Sequence, residues 1–206
     1  ELTPDGSLAF VATNAAGFHG VALFDVDPDD GTLAYIQTAP LASGGAPTAF
    51  KAVGDHLYVA QDDGALNAYR IWEDSIEPMV GGPAIAVDGV TAIAAAPDGA
   101  TLYVARGEDE AISVYRRNTF MGGLTFVQEV RGGVAGVRGL GGVCALAASA
   151  DRLFAVGRND DSLVVFNRNA GGSLAFVQRV RNGSGGVRGL DAPNAVSVSP
   201  DGRYVY

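Results

Sequence analysis

Cysteine is nearly absent from this sequence, with Cys144 alone in 206 residues. One thiol forms no intrachain disulfide, so no disulfide framework holds the chain together. Val143, Ala145 and Leu146 flank it, and a thiol in that setting reads as a buried structural cysteine rather than a reactive one. Histidine is equally scarce. His19 and His56 fall on opposite faces of the repeat described below, which argues against a shared zinc site. No other metal-ligand cluster stands out, so neither a metal nor a cofactor is expected. Basic residues are outnumbered, 14 against 23 acidic, for a net charge of −9. An acidic chain without a basic run is a poor partner for DNA or RNA. No apolar run reaches the roughly 18 residues of a membrane-spanning helix, so no membrane insertion is expected. The first residues, Glu1-Leu2-Thr3-Pro4-Asp5-Gly6, show no basic stretch followed by an apolar one, so a secretory leader is either lacking or already removed.

Glycine and hydrophobic residues are abundant, at 29 residues and 48% of the chain. The glycines cluster between short apolar segments, a pattern of turns between strands and not of disorder. Five turn landmarks recur: Pro4-Asp5-Gly6, Gly54-Asp55-His56, Pro97-Asp98-Gly99, Ala150-Asp151-Arg152 and Pro200-Asp201-Gly202. Their aspartates are separated by 50, 43, 53 and 50 residues. Strand-type content at that period predicts propeller blades. Each interval holds four strand candidates. Leu102–Ala105 and Leu153–Val156 follow the Asp turn, then Ile112–Tyr115 and Leu163–Phe166, then Leu124–Val127 and Leu174–Val177. A longer loop returns to a strand of small residues, such as Ala92–Ala96, suited to the crowded axis of a propeller. Strands covered on both sides read as continuous apolar runs.

The predicted fold is therefore an all-β propeller with four four-stranded blades, part of a seven- or eight-bladed ring. Repeats are expected at 4–53, 54–96, 97–149 and 150–199, with a stub at 200–206. Residues 65–90 are the least regular and carry the one tryptophan, Trp72, read as packing or surface structure with a ligand platform as the alternative. Asn194–Ser199 is placed to supply a missing fourth strand to the first blade. Open blade edges expose unpaired backbone groups, and self-association through them is expected, as a dimer.

In a propeller, the loops after the second and fourth strands of each blade share one face, where ligands bind at the channel mouth. Arg106 and Arg158 are read as equivalent positions there. Arg138 and Arg188 recur in Gly136-Val137-Arg138-Gly139-Leu140 and Gly186-Val187-Arg188-Gly189-Leu190. Glu108, Asp109, Asp160 and Asp161 lie on the same loops. Two readings stand side by side: an arginine-lined mouth that takes an anionic small molecule, or arginines that each pair with their own loop's carboxylate. Asp25-Val26-Asp27-Pro28-Asp29-Asp30-Gly31 has the opening of a calcium loop, but Ile36 stands where the bidentate Glu belongs, so it reads as a plain turn.

The segments Leu124–Arg131, Leu174–Arg181 and Asn194–Tyr206 resemble repeats of the lactonase-type, 6-phosphogluconolactonase-like propeller family. Near-identical repeats, plain turn chemistry and no catalytic motif read first as a binding scaffold; the resemblance implies a seven-bladed fold and, as the alternative, a lactone hydrolase acting on a sugar lactone. In the second case the arginines stabilise the anionic intermediate and Asp160 or Glu108 activates water. It also implies a bacterial, secreted or extracytoplasmic setting, and a chain that is a fragment of a longer ring.

Overall fold

The computed structural model describes residues 1–15, 18–41, 43–79 and 85–206. All regular structure among them is β, in sixteen strands, and no helix is long and apolar enough to cross a membrane. The chain divides into two compact units. One comprises Glu1–Asp88 with Thr119–Gly123, the other Gly89–Asn118 with Leu124–Tyr206.

The first unit holds two antiparallel sheets. One runs β1 (Leu8–Ala15), β2 (Phe18–Val26), β3 (Leu33–Pro40). Leu2 bridges Ala9 on the other edge of β1, where Glu1 and Phe10 exchange backbone hydrogen bonds and the Thr3 N–H donates to the Leu8 carbonyl. The other runs β4 (Pro47–Val53), β5 (His56–Gln61), β6 (Ala65–Ile71), with an outer strand split into β7 (Ile76–Pro78) and β8 (Ile85–Ala86). Residues 80–84 of the least regular repeat lie outside the described residues. The second unit holds β9 (Val90–Ala95), β10 (Thr101–Arg106), β11 (Ala111–Arg117), β12 (Leu124–Arg131) as one sheet. Its second sheet is β13 (Val143–Ala148), β14 (Arg152–Gly157), β15 (Ser162–Arg168), β16 (Leu174–Arg181).

Inner strands are covered on both faces. All of β5 is buried, as is β10 up to Arg106. Outer strands β3, β12 and β16 keep one face in water, which exposes Tyr35 and Phe126. Each unit has its own core, around Phe10, Leu23, Leu57 and Tyr69 in the first and Tyr103, Ile112, Leu153 and Phe166 in the second. At roughly 25 cal/mol per Å² of apolar surface, such burial is the main favourable term holding each pair of sheets.

The repeat extends to fine geometry. Three sheets carry a register shift at the same place, between Leu23 and Phe24, Val114 and Tyr115, and Val165 and Phe166. An edge-to-face aromatic pair follows each, Phe24–Tyr35, Tyr115–Phe126 and Phe166–Phe176, with centroids 5.8, 5.9 and 6.0 Å apart. The split-stranded sheet places Pro78 opposite Tyr69 and has no such pair at that position.

Asn194–Ser199 does not complete the first sheet. Ser197 and Ser199 instead bond to Tyr206 and Tyr204, and Val198 bridges Val205. The physical reason is the adjacent Pro200-Asp201-Gly202 turn, with Gly202 at φ 71°, which folds the segment onto its own continuation. Asp25–Gly31 closes the β2–β3 hairpin: Asp27 accepts the Asp29 N–H at 2.8 Å, and Gly31 takes φ 73°. Asp27 thus serves as a turn former.

Candidate functional site

The loops that follow β10 and β14 align through their aspartates. Glu110 and Asp161 both take positive φ, at 51° and 50°, and each precedes its next strand. Counting back from them, Arg106 matches Gly157, because Arg106 opposes Ala111 and Gly157 opposes Ser162. Arg158 matches Gly107. The expected equivalence of Arg106 and Arg158 is therefore off by one residue. In extended chain, one residue turns a side chain to the opposite face. The spacing to the aspartate carries the signal: Arg106 stands three residues before Asp109, Arg158 two before Asp160.

The two arginines accordingly have different surroundings. Arg106 is largely buried and pairs with Asp109 of its own loop and with Glu129 of β12. Arg131 joins the same group, 2.8 Å from Glu129, and donates to the Asp109 carbonyl at 3.1 Å. Glu129, by hydrogen bond and charge, holds the Arg131 guanidinium above its ordinary pKa. The result is a closed network of two arginines and two carboxylates in which Arg106 is committed. Glu129 and Arg131 were not legible as partners, because their reach depends on the register shift between β11 and β12.

Arg158 is exposed, as are Arg138 and Arg188, and none of the three makes an ion pair among the described residues. Glu108 is exposed on the β10–β11 loop. Asp160 accepts the Gly141 N–H at 2.9 Å and ties its loop to the turn ahead of β13. A side chain at Gly141 would press on that carboxylate, which explains the glycine there. The structure thus joins Asp160 to the 139–142 turn and records no contact linking Arg138, Arg158, Arg188 and Glu108 to one another.

Cys144 lies half-buried near Arg158, its thiol 3.4 Å from the Pro193 carbonyl oxygen. Burial raises its pKa above the ordinary thiol value, and the Arg158 charge partly offsets this. The rate of Cys144 alkylation should therefore rise with pH through a midpoint above that of a free thiol. Arg158→Ala should move that midpoint further up, because the offsetting cation is gone; iodoacetamide labelling read by mass spectrometry measures both. Among the described residues no three His, Cys, Asp or Glu side chains gather around a possible metal position.

Sequence reading also passed over Arg168, at the end of β15. Its side chain is only 6% exposed. It donates from Nε to the Tyr103 hydroxyl at 2.7 Å and from Nη1 to the Ser149 and Ala150 carbonyls, each at 2.6 Å. Its recurrence as Arg117 at the end of β11, which donates to the Gly99 carbonyl at 3.0 Å, was the available signal.

Four successive antiparallel sheets built on one repeat define an all-β, propeller-type protein. The model of the lactonase, seven-bladed β-propeller family matches residues 76–187. That is more than half of the chain, and the chain belongs to this family. Comparison with curated proteins finds no match. Among solved structures, a periplasmic gluconolactonase from Pseudomonas aeruginosa is similar over 99% of this chain and 60% of its own, with TM-score 0.70 and 23% identity. A protein from Bacteroides fragilis described as a 6-phosphogluconolactonase gives 0.69 and 17%, over 95% of this chain and 55% of its own. Kuenenia stuttgartiensis hydrazine synthase gives 0.63 and 21%, over 99% and 53%. At such identities the likeness shows the fold alone, and it spans a chemistry unrelated to lactones. The chain covers 60% or less of the length of each of these relatives.

Proposed function

We propose that this chain contributes to a lactone hydrolase, with Arg158 and Arg138 as anion-binding groups on the loop face of the second unit. The observation that carries this reading is the family match over residues 76–187, a span that contains both arginines and leaves them without internal counter-ions. In lactone opening, water adds to the ring carbonyl and a tetrahedral oxyanion forms. The ring oxygen then leaves with a proton, giving a hydroxy acid whose carboxylate keeps the negative charge. A guanidinium facing that oxygen stabilises both the intermediate and the product. Glu108 or the free oxygen of Asp160 takes the proton from water. Acid release from D-glucono-1,5-lactone in a pH-stat tests the proposal. A rate above spontaneous hydrolysis is expected, and a rate equal to it rejects the reading. The periplasmic relative supports an extracytoplasmic setting.

We also propose that the 206-residue chain self-associates through its open sheet edges, as a dimer. The support is the edge of β1 beyond Phe10, past the stretch that Glu1–Thr3 cover, and the outer face of the last sheet, where Gln178 is exposed. Its counterpart Gln128 bridges to the backbone of Leu174 in the next sheet, at 2.8 and 3.2 Å. Light scattering on a sizing column should return twice 21.0 kDa. A monomer mass at all concentrations contradicts it.

A further inference from the structure

The second unit has a cleft of about 320 Å³ between the Asp98 turn, Ala150 and the Arg168–Gly172 segment. The first unit has its counterpart, about 360 Å³, lined by Thr3, Asp5, Asp55, Ile71, Trp72 and Glu73 among others. The two are related by the repeat. Asp98 and Asp5 are the aspartates of matching Pro-Asp-Gly turns, and each accepts the N–H two residues on, at 2.9 and 3.1 Å. Ile71 and Arg168 are also matched, since each donates its backbone N–H at 2.9 Å to the carbonyl of the turn aspartate of its own sheet, Asp55 or Asp151.

The two clefts differ in what lines them. In the second unit the Arg168 guanidinium lines the cleft as a buried wall, 5.8 Å from the Tyr103 ring centroid and 3.8 Å from the Asp98 carboxylate. In the first unit the residue in that place is Ile71, which carries no charge. No lysine or arginine pairs with Asp5 among the described residues. Hydrogen bonds from Thr3 and Ser7 hold the Asp5 carboxyl below its ordinary pKa, so the charge is present at neutral pH. An aromatic wall is present as well. Trp72 is 49% exposed and lines the cleft, while the Arg70 guanidinium, which does not line it, lies 5.2 Å from the indole centroid; an indole face is a favourable wall for a cation. Arg70 itself is spent on Asp55, 2.6 Å away.

We propose that the cleft beside Trp72, whose lining holds carboxylates and no cation, binds a small organic cation through its guanidinium or ammonium group. Asp5 is the counter-ion and Trp72 the wall. The size is that of a small-ligand pocket, mostly apolar with a few placed polar groups. The site is independent of the lactone reading, because it uses a different unit and the opposite charge.

Trp72 is the one tryptophan in the sequence, so its fluorescence reports on this cleft directly. Titration with arginine amide should give a saturable change in emission. Citrulline amide, of the same shape but uncharged, should give none. Asp5→Asn keeps the turn's acceptor and removes the charge; it should weaken arginine amide at least about tenfold, whereas Asp98→Asn should leave the affinity unchanged. A flat response to arginine amide, an equal response to citrulline amide, or an unchanged affinity in Asp5→Asn overturns the proposal.

Discussion

Replacing Arg168 by alanine should lower stability by about 1–3 kcal/mol, the scale for leaving buried hydrogen-bond acceptors unpaired. Three acceptors lose their donor at once: the Tyr103 hydroxyl oxygen and the Ser149 and Ala150 carbonyls. The carbonyls belong to the turn that opens β14, and Tyr103 also donates to Gly172 at 3.3 Å, so the loss loosens both sheets of the unit where they meet. Arg168→Lys should recover only part of it. A compact ammonium cannot serve a hydroxyl and two carbonyls in the planar fork that guanidinium provides. The urea midpoint reads the effect. A shift of less than about 1 kcal/mol, the scale of a single hydrogen bond, would show that Arg168 is not the staple described.

Gly157→Ala should cost about 2–3 kcal/mol, the upper part of the range for forcing a methyl into a filled interior. Its Cβ would overlap the Gly139 carbonyl oxygen, with the carbonyl carbon 2.9 Å away and the Ser162 hydroxyl at 3.0 Å. The obstacle is backbone, and the Gly139 carbonyl is itself held by the Ser162 hydroxyl at 2.7 Å, so it cannot swing aside. A fall in melting temperature of roughly 5–10 °C follows for a chain of this size. The matching position in the preceding sheet holds Arg106, so an unchanged melting temperature would mean that the 139–142 turn moves freely, against the packing seen here.

These two residues mark the boundary of what the sequence made legible. The repeat was visible because Asp turns and doubly covered strands leave local signatures: Pro97-Asp98-Gly99 followed by an unbroken apolar run needs no tertiary information. The matched aromatic pairs and register shifts could not be read, because a bulge changes pairing without changing composition. The arginines expected at a channel mouth share only their residue type. The order Arg106-Gly107 against Gly157-Arg158 reverses their facing, and whether a charge is spent depends on Glu129, 23 residues further along. Arg168 looked like an ordinary strand-end cation, since only the packing of the neighbouring sheet takes it out of water. Trp72 was noticed, but its meaning depends on Ile71 standing where the other unit has arginine.

The central claim is that charge on the loop face divides into a spent arginine, Arg106, and an available one, Arg158. The most direct measurement is the rate of D-glucono-1,5-lactone opening by the wild type, Arg106→Ala and Arg158→Ala, followed side by side in one pH-stat. Turnover by Arg158→Ala should fall at least about tenfold towards the spontaneous rate, on the scale of losing one charged transition-state contact. Arg106→Ala should lose stability while a folded sample retains turnover. Equal turnover in the wild type and Arg158→Ala, or a selective loss in a folded Arg106→Ala, would contradict it.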